Sequence, residues 1–134
     1  MINSTIDVWG IGTFRTFRVY WILEEFNLNY TVHPIRTRTG EANTEEYRKI
    51  NVREKIPTLV HNSFVLSESA AIVSYISQSF DKPPDFYLPS ELKEQHRILE
   101  WNYFGMTELD ATAIYVLRRH EGPPYGLSHI YGSA

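Results

Sequence analysis

The chain reads as an α/β protein, a βαβ unit followed by a ββα unit around a mixed four-stranded sheet, with an incomplete all-α domain after it. Three observations predict this. Short β-branched runs alternate with longer segments whose apolar residues recur at near-helical spacing. In "IPTLVHNSFVLS" two such runs are separated only by "NS", a hairpin spacing. The stretch "DKPPDFYLPS", with three prolines in ten residues, then sets a helical pattern of about thirty residues apart from everything before it. The boundaries follow: a first domain over 1–80, a linker over 81–90 and a helical part over 91–134.

Taken in order, "IDVWGI" alternates and is β-branched, which predicts the first strand. "GTFRTFRVYWILEEFNL" follows as a helix with Thr13 as N-cap and an apolar stripe of Phe14, Phe17, Trp21 and Phe26. "NYTVHPIR" predicts a second strand, parallel to the first because a crossover helix joins them. "TRTGEANTEEYRKIN" reads as a polar loop with one short helix pinned by Tyr47 and Ile50. The hairpin supplies an antiparallel pair, and "ESAAIVSYISQSF" a third helix with Ala71, Ile72, Tyr75, Ile76 and Phe80 on one side. This order is the thioredoxin-like arrangement. After the linker, "SELKEQHRILEWNYFGMTELDATAIYVLRRHEG" predicts a single helix from an N-cap at Ser90 to a stop at Gly122, roughly 45 Å long.

Composition narrows the function. With 43% hydrophobic residues, 14% aromatic and a net charge of −3, the 134-residue chain has enough apolar material for a core and no concentrated basic excess. Nucleic acid and anionic membrane surfaces are therefore not expected partners. Residues 1–55 carry eight Lys and Arg against seven Asp and Glu, while 56–134 carry five against nine, so the first part holds the groups that could meet a small anion. The absence of cysteine excludes disulfides, cysteine zinc sites and redox chemistry by the protein's own thiols. The five histidines lack metal-site spacing, so no metal is expected. "MINSTIDVWGIG" does not read as a secretory signal and no apolar run is long enough to span a bilayer, which predicts a cytoplasmic protein.

The chemistry concentrates in "KIPTLVHNSFVLSESAAI". Pro57 removes a ladder donor at a strand start. It reads either as an ordinary trans proline or as a cis proline that turns Ile56 outward, offering its backbone to an extended peptide. Glu68 and Ser69 fall where the third helix begins. They read either as a helix cap with a first-turn acid, or as a site for an amino-acid head whose ammonium meets Glu68 and whose carboxylate meets Ser69 and the helix N-terminus.

Together "KIPTLVHN", "SESAAIVSYI", "FRVYWILEEFNLNY" and the "DKPP…YLPS" linker resemble the glutathione transferase family over residues 5 to about 121, especially its tau-type variant with Lys-Ile-Pro. The resemblance implies a thioredoxin-like glutathione-binding domain with glutathione as co-substrate and no metal. It implies that Ile56, before Pro57, holds the cysteinyl unit through its backbone, Glu68 and Ser69 the γ-glutamyl head, and Lys55 the glycyl carboxylate. Counting back five positions from Arg18-Val19 puts the family's activating hydroxyl at Thr13, where the commonest residues are Ser, Tyr or Cys. Lowering a thiol pKa from about 8.5 to near 6.5 takes about 2.7 kcal/mol, within reach of a hydroxyl, a helix N-terminus and a nearby cation such as Arg15. Thr13 is also readable as a plain N-cap. The implied activity is attack of the thiolate on a hydrophobic electrophile or peroxide, as in detoxification by a homodimer. The alternative is a non-catalytic binding or interaction module of the same fold. The family's later helices have no counterpart here, so Trp101, Phe104, Leu109, Tyr115 and Leu117 are expected to lack covering and to favour association.

Overall fold

A computed structural model describes residues 5–114 and 116. The chain falls into two compact units, Met1–Leu88 and Pro89–Ala134. In the first, the order is β1 (Ile6–Trp9), α1 (Phe14–Glu25), β2 (Thr31–His33), a 3-10 turn (Glu41–Asn43), α2 (Glu45–Ile50), β3 (Thr58–His61), β4 (Phe64–Ser67) and α3 (Ser69–Ser79). The strands lie in the order β2-β1-β3-β4, with β1 parallel to β2 and antiparallel to β3, and β3 antiparallel to β4. This is the thioredoxin-like mixed sheet. Asn62 takes the left-handed backbone (φ 55°) in the two-residue β3–β4 turn, a conformation asparagine tolerates well.

Alternation along β1 decides which side each residue faces. Ile6 and Val8 join Val19, Ile22, Leu23, Phe26, Leu59, Ile72 and Ile76 in the main core, between the sheet and the packed pair α1 and α3. Fully burying each such side chain contributes about 1.5–3 kcal/mol. Trp9 points the other way, into a smaller cluster with Ala42, Tyr47, Ile56, Ile35 and Ile50. There its ring also stacks on His33, centroids 3.8 Å apart, and His33 Nε2 lies 2.8 Å from the Asp7 carboxylate.

Two of the sequence expectations about helix faces are corrected. Phe14, Phe17 and Trp21 are exposed, at 61%, 58% and 58%, and the buried stripe of α1 is Thr16, Val19, Ile22, Leu23 and Phe26. At 100° per residue these two sets lie on opposite sides of the helix, so only Phe26 of the expected stripe faces the core. On α3, Ile72 and Ile76 are fully buried whereas Ala71 is exposed.

The second unit holds α4 (Leu92–Phe104), which continues as a π-helical stretch over Gly105–Ile114. The expected single α-helix is thus divided. Thr107 and Thr112 donate their hydroxyls to the carbonyls of Tyr103 and Thr107, four and five residues back, and the second spacing is that of the wider turn. The N-cap is Glu91 rather than Ser90, without a side-chain capping bond, and the Gln95 amide donates to the carbonyls of Pro89 and Ser90 just before it. Trp101, Phe104 and Leu109 are exposed; Tyr115, Leu117 and the expected stop at Gly122 lie outside the described residues. Among the described residues, no helix is long and apolar enough to cross a membrane.

Candidate functional site

The turn from β1 into α1 is built around a close approach. Gly10 has φ 116°, and a Cβ placed on it would lie 2.5 Å from Ile56 Cβ, so glycine is required where the two segments meet. Tyr20 reaches back from α1 to donate its hydroxyl to the Gly10 carbonyl at 2.6 Å, while the N–H groups of Gly10 and Ile11 bond to the carbonyls of His33 and Ile35. Burial pushes the Tyr20 phenol up from its ordinary value.

Thr13 follows as the N-cap of α1, half-buried. Its Oγ1 accepts the Thr16 N–H at 3.0 Å, and its own N–H donates to Thr16 Oγ1 at 3.0 Å, a reciprocal capping box. The Thr16 hydroxyl is committed to the Thr13 carbonyl at 2.8 Å, and the two hydroxyl oxygens are 3.2 Å apart. Arg15 lies exposed in the first turn of α1.

The loop before β3 is held from beneath. Tyr47, Asn51 and Thr58 are buried, Tyr47 and Asn51 donate to the Lys55 carbonyl at 2.7 and 2.9 Å, and the single Thr58 hydroxyl proton is shared between that carbonyl, at 3.3 Å, and the Tyr47 oxygen. Tyr47 and Asn51 also bond to the Thr58 hydroxyl at 2.8 and 3.0 Å. Burial raises the Tyr47 phenol pKa, with the bonds to Thr58 and Asn51 acting in the opposite direction. On the far side Glu54, at φ 53°, pairs with Arg48 and accepts from Asn43. Above this node the Lys55 side chain is exposed, Ile56 is buried against Gly10, and the Ile56–Pro57 bond is cis.

The third segment is the start of α3. Glu68 is its N-cap, in a strained backbone conformation for a residue with a side chain (φ 74°, ψ 113°), and it makes no side-chain capping bond. The first N–H groups of α3 are thus left without a side-chain acceptor, a setting that favours an anion. The Glu68 carboxylate is 70% exposed and lies 3.3 Å from Arg53 Nη1, and Arg53 Nη2 also bonds to the Ser67 hydroxyl. Ser69 is buried, and Arg18 Nη1 donates to its Oγ at 3.2 Å.

The three segments are therefore tied pairwise: Gly10 to Ile56, Arg18 to Ser69, and Arg53 to Ser67 and Glu68. These ties gather the turn carrying Thr13, the Lys55–Pro57 loop and the Glu68–Ser69 helix start. Sequence reasoning did not single out Gly10, Asn51 or Arg53, and it used Arg18 only as the marker from which Thr13 was counted, with no role at Ser69. The glycine pair in "GIG" at a strand end and the asparagine opening "NVREK" were the available signals; nothing local marks Arg53 or ties Arg18 to Ser69. Among the described residues no three His, Cys, Asp or Glu side chains form a group that could hold a metal ion.

Residues 4–78 match the family model described as glutathione S-transferase, N-terminal domain. The chain is 26% identical over 91 residues to glutathione S-transferase theta-1 of Mus musculus, covering 66% of this chain and 38% of that protein. It is 31% identical over 108 residues to glutathione S-transferase A of Pleuronectes platessa, covering 80% and 48%. Among solved structures, it is similar to a theta-class glutathione S-transferase from Xanthomonas axonopodis pv. citri with glutathione bound, at 28% identity and a TM-score of 0.68, covering 77% of this chain and 49% of that one. The chain spans less than half the length of each of these proteins.

Proposed function

Since this chain belongs to the glutathione S-transferase family, we propose that it binds glutathione across its three tied segments and activates the thiol for transfer. The Ile56 backbone meets the cysteinyl unit ahead of Pro57, and the exposed Lys55 ammonium meets the glycyl carboxylate. Glu68 takes the γ-glutamyl ammonium, and Ser69 with the α3 N-terminus takes its carboxylate. Thr13 stands at the thiol. Its hydroxyl oxygen can keep accepting the Thr16 N–H while its own proton swings from the Thr16 oxygen to the sulfur, so capping and thiolate stabilisation use different sides of one group. The α1 N-terminus and the Arg15 guanidinium add positive potential. Once the thiol proton has passed to solvent water, the thiolate attacks an electrophilic carbon, a C–S bond forms and the leaving group departs with its electron pair; a peroxide is the other candidate acceptor, its O–O bond breaking as the sulfur takes one oxygen and the other leaves as an alkoxide. The same reading makes the protein a cytoplasmic homodimer in detoxification.

The observation that supports this most is the pairwise tying of three sequence-distant segments that carry complementary chemistry. Retention on immobilised glutathione, followed by conjugation of a chloronitrobenzene, tests it. Folded protein that is not retained would remove the roles of Lys55, Glu68 and Ser69. A second reading, a non-catalytic glutathione-binding module, is favoured by the capping box that engages the Thr13 hydroxyl. Retention without conjugation or peroxidase activity would select it.

A further inference from the structure

We propose that Arg53 is a positioning residue of this site, holding the Glu68 carboxylate where an amino-acid ammonium can reach it. The inference rests on the glutathione-binding reading above and adds to it a residue from the opposite side of the site.

The turn after α2 carries Arg53 on a firm base. Its N–H donates to Asn51 Oδ1 at 3.0 Å, and Asn51 is buried and bound through its amide to Lys55 and Thr58. From there the guanidinium crosses to the β4–α3 junction and grips two consecutive residues, Ser67 through Nη2 and Glu68 through Nη1. The grip on Glu68 uses one carboxylate oxygen, Oε1. The carboxylate is 70% exposed, so the pair leaves an acceptor open to a ligand beside a cation. That is the charge pattern of a zwitterionic amino-acid head, with its ammonium against the carboxylate.

Glu68 needs such a holder. Its side chain is 70% exposed and caps nothing, so an unheld glutamate would lose rotamer freedom only when the ligand arrives. Ordering it in advance removes that penalty from binding. Exposed ion pairs contribute little to fold stability, so the role can be removed without unfolding the domain.

The test measures dissociation constants of glutathione and of its deamino analogue, glutaryl-cysteinyl-glycine, for the full chain and its variants, with thermal melts as a folding control. Arg53→Ala should bind glutathione about 10-fold more weakly with an unchanged melt, and Arg53→Lys should recover part of the loss. The analogue lacks the ammonium and should be weakened far less, so the preference for glutathione shrinks. In a Glu68→Gln background Arg53→Ala should add less than about two-fold, because the partner through which it acts is already gone. Equal loss for both ligands, or a full loss in the Glu68→Gln background, would overturn the positioning role while leaving glutathione binding intact. Glutathione binding by Arg53→Ala equal to that of the parent chain would do the same. A parent chain that binds no glutathione refutes the underlying reading, and this role with it.

Discussion

Replacing Gly10 with alanine should damage the fold and the site through one contact. The glycine sits at φ 116°, where a residue with a Cβ is strained by about 1–3 kcal/mol. The new methyl would also lie 2.5 Å from Ile56 Cβ, 2.9 Å from Cγ2 and 3.0 Å from Cδ1. The nearest of these atoms is fixed to the backbone, so relief requires the Ile56 loop to move, and overpacking of this kind adds about 1–3 kcal/mol. Gly12 is the internal control: it has φ 77° but nothing within 4 Å, so Gly12→Ala carries only the conformational penalty of about 1–2 kcal/mol. Urea unfolding followed by tryptophan fluorescence, analysed with a common m-value, measures both. Gly10→Ala should be the more destabilised by at least about 1 kcal/mol, out of a typical total of about 5–15. Adding Ile56→Ala should not restore stability, because it removes Cγ2 and Cδ1 and leaves the closest atom in place. Equal losses for the two glycines would show that the approach of Ile56 to β1 does not constrain the turn.

Thr13→Ala should lose about 1 kcal/mol of stability from the missing cap and most of any conjugation turnover, whereas Thr13→Ser should keep both; equilibrium unfolding and steady-state kinetics separate the effects. Glu68→Gly should stabilise the fold by about 1 kcal/mol, since glycine relieves the strained φ of 74°, yet abolish retention on immobilised glutathione. A variant that is neither more stable nor weaker in binding would argue against strain held for function. At high pH the sign follows from the tyrosines. Tyr30 donates to the Glu24 carboxylate at 2.6 Å, and this bond, with a smaller contribution from burial, lifts its pKa from 10.0 to about 12. The folded state then keeps a proton that the unfolded chain releases, so stability is intact below pH 10 and falls as the pH rises toward 12. In Tyr30→Phe that decline should be shallower, as read by denaturant midpoints at pH 8 and 11.

Period and turn chemistry made the sheet, the three helices of the first unit and the hairpin legible, because each is encoded within a dozen residues. The buried face of α1 was not. Its aromatics are the largest apolar groups in the segment, but Val19, Ile22 and Leu23 are the ones whose spacing meets β1 and α3. Similarly, Glu68 and Ser69 could be marked from a local motif, whereas Arg53 and the reach of Arg18 to Ser69 could not. Arg18 meets Ser69 from fifty-one positions away, a neighbourhood that only the packing of α1 on α3 creates. The helix start at Glu91 in place of Ser90 is a shift of one residue, which the cap preference of a serine does not decide by itself.

The antiparallel register of β1 and β3, with Trp9 opposite Thr58, sets the closing end of one strand against the opening end of the other. The Gly10–Thr13 turn and the Lys55–Pro57 loop are thus neighbours only after a chain of roughly fifty residues has been closed between them, a slow and entropically demanding step in folding. If the chain binds glutathione as proposed, a growing chain on the ribosome would have no complete site until β3 had emerged and paired, however early α1 had formed. Tripeptide capture would then serve as a readout of completed sheet assembly, and a slipped register would silence it before any change in helix content became visible.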